Sequence, residues 1–418
     1  MKKHNFFYFA MLVAIGLTLN LASCKEDEDP TPLTLATLTA GDIDLNGATA
    51  PNNVPSEPTI TATFSTDVDA TTAIAANITL VRDYDDTNIG LTITVSGKTI
   101  TIVPTEALLT GTLHELTLTA ALKSTEGEIL TTAVSRTFTT DGFFAPTGMV
   151  AHWNFEDNAD DQIGDYDASA EIDVTYTDGR KTTAGKAATF NGTTSIIEIP
   201  NGDQLMNTHD FTLSFWVKAE ESGKGHFIIG LAAFYGFQFE LGSDFKWFKM
   251  PVQFEYEDGT TGTGGDLSYN GDGLTNESGG WRGTVLNQEN TALDASLKNT
   301  WAHIAYVYNS ETKERMMFLN GELVIKQDYD LWIDDEGVPY KESTTVGLKY
   351  GGTAPEVVNE LAFGFIQSRA GTLWDTEAWG GYAIPGANHF QGQLDDVRIF
   401  NKAVSEAEML LMYNSEKP

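Results

Sequence analysis

Apolar and polar side chains alternate with a period of two through most of this chain. Thr99-Ile100-Thr101-Ile102-Val103, Leu91-Thr92-Ile93-Thr94-Val95 and Thr59-Ile60-Thr61-Ala62-Thr63-Phe64 all show it. Successive side chains of a strand point to opposite faces, so such runs bury one face and wet the other. β-branched residues suit that pleated, half-buried surface. Only Ser405 to Tyr413 reads as a helix, with Ser405 as N-cap and Glu408 three positions on, a capping box. Cys24 is the only cysteine, so no disulfide can staple the fold and stability must come from sheet-on-sheet cores. The expected class is all-β.

Two composition regimes divide the chain. Residues 33–141 are rich in Thr, Val, Ile and Ala and hold no Trp. Their short strands, among them a hairpin across Ser96-Gly97-Lys98, predict a β-sandwich of about 100 residues. Residues 142–148, with Phe143-Phe144-Ala145-Pro146, form a packed junction. Residues 149–418 hold all eight Trp. Their many strands exceed a simple immunoglobulin-type sandwich, and a two-sheet jelly roll is the expected solution.

The first residues read as a processing segment rather than as structure. Lys2-Lys3, an apolar run from Phe6 to about Leu21, and Leu21-Ala22-Ser23-Cys24 have the form of a lipoprotein signal peptide over residues 1–23. Cys24 is then the acylated first residue of the mature chain. Residues 24–32 form an acidic tether containing Lys25-Glu26-Asp27-Glu28-Asp29-Pro30. That tract resembles the export signal of surface lipoproteins in glycan-foraging Gram-negative bacteria, which implies a lipid-anchored place on the outer membrane, at the cell surface. Asp and Glu number 59 against 25 Lys and Arg, a formal charge of -34. Such a field repels nucleic acid and anionic lipid and favours neutral ligands or cations.

Two resemblances follow. Pro58-Thr59-Ile60-Thr61-Ala62-Thr63-Phe64-Ser65, Ile100-Thr101-Ile102-Val103-Pro104, Leu108-Leu109-Thr110-Gly111-Thr112 and Arg136-Thr137-Phe138-Thr139-Thr140 resemble a bacterial immunoglobulin-like domain, a type that usually serves as a spacer. Met149 to Glu156, Ala188 to Gly192, Phe211-Thr212-Leu213-Ser214-Phe215-Trp216-Val217-Lys218, Trp301 to Val307, Phe318 to Val324 and Gly392 to Ser405 resemble a laminin G-like, concanavalin A-like jelly-roll domain. Residues 246–298 and 331–356 look like insertions in it. The implied fold is an immunoglobulin-like sandwich followed by a concanavalin A-like jelly roll.

The second resemblance implies a structural calcium, with Asp395 of the last strand as ligand and Glu156 or Asp157 as helpers. Alternation places Asp395, Val397 and Ile399 on one strand face, where an aspartate needs a partner, either a cation or a salt bridge. Glycoside hydrolases of this fold use two carboxylates across the scissile bond. The laminarinase-like ExDxxE strand is missing: Glu171-Ile172-Asp173 starts it, but no second glutamate follows. Sugar rings stack on flat aromatic faces, while their hydroxyls need amides, carboxylates and Arg. Trp374, Asp375, Glu377, Trp379 and Tyr382 offer both kinds in one Gly-rich loop, and Trp281 with Arg282 offers them in another. Asn388 and His389 either border that surface or serve the structure. Trp153, Trp216 and Trp301 are expected in the core.

The reading favoured is a non-catalytic, cell-surface, carbohydrate-binding lipoprotein. Its partners would be a polysaccharide or oligosaccharide, the outer membrane through the lipid, and a porin-like transporter. A surface glycoside hydrolase and an adhesin for host protein are the alternatives.

Overall fold

The computed structural model describes residues 30–271, 281–286 and 293–418. Cys24, the signal segment 1–23 and the first part of the tether lie outside them. The chain divides into two compact units, Met1–Leu108 with Leu113–Asp141, and Leu109–Thr112 with Gly142–Pro418. The short Leu109–Thr112 segment joins the second unit because Gly111 lies against backbone there. A Cβ at Gly111 would come within 2.5 Å of the Phe144 nitrogen.

The first unit is a β-sandwich. One sheet runs, in spatial order, Ile43–Asp44, Leu35–Ala40, Ile60–Phe64, Thr99–Pro104, Leu91–Ser96, and the other Thr87–Asn88, Ile78–Arg82, Leu113–Leu118, Val134–Thr139. The inward residues of both, including Ile60, Phe64, Ile100 and Ile102 against Leu80, Leu116 and Phe138, form one core. The hairpin is tighter than its sequence implied. Ser96 pairs with Thr99, leaving a two-residue loop whose first member, Gly97, takes φ +57°, as a Gly-first hairpin turn requires.

The second unit is a larger sandwich. A nine-stranded sheet has Phe211–Ala219 and Gln391–Phe400 side by side near its middle. A seven-stranded sheet runs Ala170–Ile172, Ile196–Ile199, Leu361–Phe363, His226–Gly230, Gln238–Leu241, Phe248–Met250, Leu267–Tyr269. Their facing sides meet edge to face, Phe215 on Phe239 at 5.0 Å and Trp153 on Phe363 at 5.1 Å. Phe211, Leu213, Phe215 and Val217 all enter this core, as their alternation predicts. Trp153 and Trp216 are buried. Trp301 is only half-buried, because it precedes the strand Ala302–Asn309 rather than lying in it.

The two expected insertions are part of this architecture. The first supplies two strands of the seven-stranded sheet. Gln253–Tyr256, also from the first, pairs with Thr345–Leu348 from the second in a three-stranded sheet completed by Thr261–Thr263. The helix Glu406–Glu416 carries the expected capping box and covers the outer face of the large sheet, with Tyr413 stacked on Trp216 at 5.8 Å.

Candidate functional site

Alternation along Phe237-Gln238-Phe239-Glu240-Leu241 sends the three apolar residues into the core and turns Gln238 and Glu240 to the opposite face. Cross-strand register sets Lys249 beside Glu240 and Phe227 on its other side. The outer face of the seven-stranded sheet is therefore polar at one end and apolar at the other. The segment following Leu361–Phe363 folds back over the apolar end, where Phe365, Ile366 and Ala387 pack on Ile196, Phe227 and Ala362. The fit requires a glycine beneath it: a Cβ at Gly230 would lie 2.2 Å from the Ile366 carbonyl oxygen. Asn388 fastens the return, its carbonyl accepting from Phe227 N at 2.9 Å and its amide donating to Trp379 O at 2.9 Å.

Where this cover ends, a groove of about 250 Å³ opens. Trp374 and Trp379 form one wall, their rings 6.0 Å apart and inclined at 49°. Trp379 is braced edge-on by Phe227 at 6.0 Å, yet 40 % of it stays exposed. Gln238, Glu240, Lys249 and Asn388 supply polar groups to the same groove. Gln238 donates to Glu240 at 3.1 Å. The Lys249 ammonium lies 2.9 Å from Asp266 and 3.5 Å from Glu240. Burial raises the Glu240 carboxyl above its ordinary range, against the pull of Lys249. For Lys249 burial acts to lower the value, but Asp266 and Glu240 outweigh it and hold the amine above its ordinary range. An aromatic wall facing fixed donors and acceptors suits a ligand with an apolar face and hydroxyl edges.

The glycan-site residues expected from the sequence separate into four places. Trp374 and Trp379 are at the groove. Asp375 and Glu377 are exposed on the same turn and do not line it. Tyr382 faces the sheet instead, its hydroxyl donating to the Thr194 carbonyl and its ring edge-on to Phe365 at 5.6 Å and His389 at 4.8 Å. His389 is buried there, while Asn388 reaches the groove. Trp281 and Arg282 belong to another cluster, with Trp281 edge-on to Trp332 at 4.7 Å and Arg282 paired with Asp335. Gln238, Glu240 and Lys249 went unforeseen, although the alternation of Phe237 to Leu241 already set the first two apart from the core.

Asp395 does not share the face of Val397 and Ile399. Asp396 takes φ +46° at a register shift between Ser214 and Trp216, and that extra residue turns Asp395 outward while Val397 and Ile399 keep to the core. There Asp395 meets Arg180 at 2.5 Å, and Arg180 also reaches Asp396 at 2.6 Å. Glu416 closes the cluster from the last helix, accepting from Trp216 Nε1 at 2.8 Å and pairing with Arg398. Burial, then repulsion from Asp396, pushes the Asp395 carboxyl up to about 8. At Asp396 burial acts the same way, but Arg398, His152 and Arg180 prevail and hold it low.

Asp395 thus faces Arg180, while Glu156 and Asp157 face Lys186. Glu156 accepts from the Lys186 amide at 3.2 Å, and Asp157 pairs with the Lys186 ammonium. Asp161, in the neighbouring acidic loop, accepts from the amides of His152, Ile163, Gly164 and Tyr166. Among the described residues no three His, Cys, Asp or Glu side chains converge on a metal position.

Residues 38–140 match the family model of the bacterial Ig-like domain, and residues 191–339 match that of the concanavalin A-like lectin/glucanases superfamily. The chain thus carries a bacterial Ig-like domain followed by a concanavalin A-like domain. No curated protein matches it. Among solved structures, the binding domain of botulinum neurotoxin serotype D aligns at 13% identity and TM-score 0.38, over 64% of this chain and 52% of that one. The binding domain of Paraclostridial Mosquitocidal Protein 1 aligns at 16% and 0.39, over 64% and 52%. The botulinum neurotoxin serotype D ligand binding domain in complex with N-acetylneuraminic acid aligns at 14% and 0.39, over 64% and 51%. The chain spans about half the length of these structures.

Proposed function

We propose that this chain is a non-catalytic glycan-binding lipoprotein of the cell surface. The observation that carries the reading is the open groove between the Trp374–Trp379 wall and the polar side chains Gln238, Glu240 and Asn388. Sugar rings stack on the indoles while their hydroxyls meet the amides and the carboxyl. Hydrolysis asks for two carboxylates flanking an open substrate position. Glu240, the carboxylate in the groove lining, shares Lys249 with Asp266 instead. A panel of neutral polysaccharides is expected to bind without release of reducing ends. Trp379→Ala is expected to weaken that binding about ten-fold, the loss of one stacked aromatic contact. Because the ring is 40 % exposed, the melting temperature should hold. Release of reducing ends, or unchanged affinity in Trp379→Ala, would overturn the proposal.

The same proposal places the protein on the outer membrane through acylated Cys24, with the Ig-like unit as spacer and a porin-like transporter receiving the captured oligosaccharide. Its support is the Leu21-Ala22-Ser23-Cys24 tetrad after an apolar run, and the acidic tract after it. Cys24→Ser is expected to abolish incorporation of labelled palmitate and to release the protein from membranes. Label retained in that variant would refute the anchor.

A further inference from the structure

A second cavity, of about 310 Å³, lies in the same unit and none of the sequence-derived site residues reaches it. Its lining joins residues distant in sequence: Asp203, Asn207 and His209, then Glu255, then Lys349 and Tyr350. The last three come from the two segments that looked like insertions. Tyr350 contributes a half-buried ring. Tyr350 is held at its backbone and at its ring. Its backbone amide donates to Asn207 Oδ1 at 3.1 Å, and a Cβ on Gly352 would come within 2.1 Å of its hydroxyl. Lys349 and Glu255 pair at 2.5 Å, so they offer hydrogen bonds with their charges already matched. His209 Nδ1 donates to the Val346 carbonyl at 2.9 Å, which leaves Nε2 of the exposed ring as a further hydrogen-bonding atom. A flat ring beside a lysine already paired with a carboxylate repeats the chemistry of the Trp374–Trp379 groove.

The turn Ala233–Tyr235 connects the two linings: Phe234 lines the first cavity, and the carbonyl of Tyr235 accepts from Gly351 at 2.8 Å, next to Tyr350 of the second. The Gln253 amide, oriented with its nitrogen toward this turn, donates to Phe234 O at 2.6 Å and Tyr235 O at 3.1 Å. Phe234 is 44 % and Tyr235 38 % exposed, so this buttressed turn presents two rings to solvent. Isolated exposed aromatics need no explanation, but a pair on a turn that connects two polar-aromatic linings does.

Building on the glycan-binding reading, we propose that the cavity at Tyr350 is a second sugar subsite, joined to the Trp374–Trp379 groove across Phe234 and Tyr235, so that the unit takes a linear neutral glycan chain. Occupying the second subsite is then intramolecular, and affinity rises with chain length until both are spanned. Calorimetry on the whole chain with neutral glucan, xylan and mannan oligosaccharides, from disaccharide to octasaccharide, tests this. For whichever backbone binds, the octasaccharide is expected to bind at least ~10-fold more tightly than the disaccharide. Tyr350→Ala should remove that gain and leave disaccharide affinity unchanged, while Tyr350→Phe, which keeps the ring, should retain it. His209→Ala, on an exposed side chain, should reduce the gain without a change in melting temperature. Equal affinity for short and long chains, or a gain untouched by Tyr350→Ala and His209→Ala, would overturn the second subsite and leave the groove standing. Absence of binding by every oligosaccharide and polysaccharide would overturn both.

Discussion

At the scale of single residues, the cluster around Asp395 shows how one inserted residue changes chemistry. Strict alternation would have put its carboxyl into the core beside Val397. The bulge at Asp396 instead places it against Arg180, within a buried set that also holds Arg398, Asp396 and Glu416. With Asp395 protonated, two arginines face two carboxylates. Its carboxyl is pushed from the ordinary 3.8 up to about 8, first by burial and then by Asp396. The folded state therefore holds this proton where the unfolded chain has lost it. The associated stability is full below the unfolded value of 3.8 and is lost as pH rises through about 8. Asp395→Asn keeps the shape, stays neutral and can still accept from Arg180. Its melting temperature relative to the native chain is expected to rise from about pH 5 to about pH 9, at roughly 2–4 °C per kcal/mol for a unit of this size. His226 and His389 act with the opposite sign. Burial lowers both to about 4 from 6.5, so their contribution is present above 6.5 and lost as pH falls through about 4. Comparing variant with native at each pH cancels them. A difference in melting temperature that is flat across this range would refute the assignment to Asp395.

At the scale of elements, what could be read from the chain and what could not divide along a physical line. Long strands with one face in a core announce themselves: Phe211–Ala219 buries the four residues its alternation selects, and the capping box at Ser405 and Glu408 starts the last helix where expected. Both signals are local. The three-residue strands Phe248–Met250, Thr261–Thr263 and Leu267–Tyr269 are too short for a period to register, and Gln253–Tyr256 finds its partner Thr345–Leu348 far along the chain. Residues 246–298 and 331–356 therefore looked like added loops, although they complete one sheet and build another. The same limit governs the groove. Gly-flanked Trp374 and Trp379 marked one wall, since aromatics outside alternating strands have no core to enter. The opposite side needed the pairing of Glu240 with Lys249 across two strands, which no local pattern contains. Trp281 and Tyr382 carry the same kind of signal as Trp379 and end elsewhere, because Trp332 and Phe365 offered them tertiary partners.

At the scale of the whole molecule, a charge of -34 acts on every ligand before any groove does. It could be offset locally, since Lys249 lies in the Trp374–Trp379 groove and Lys349 in the cavity at Tyr350. Neither cation is free to answer an anionic ligand. Lys249 already serves Asp266 and Glu240, and Lys349 serves Glu255. The local balance then has the same sign as the global one, and both favour an uncharged polymer. Salt separates the two contributions. Raising ionic strength from 0.01 M to 0.15 M shortens the Debye length from about 30 Å to about 8 Å. Over that range the distant carboxylates fade, whereas ion pairs in the groove, partly shielded from water, change little. A neutral oligosaccharide is expected to bind with the same affinity at both salts. Its uronate-bearing counterpart should bind more weakly at low salt, with the gap narrowing as salt rises. If the uronate form bound more tightly at low salt, Lys249 or Lys349 would have to be free for it, and the preference for neutral glycan would fall.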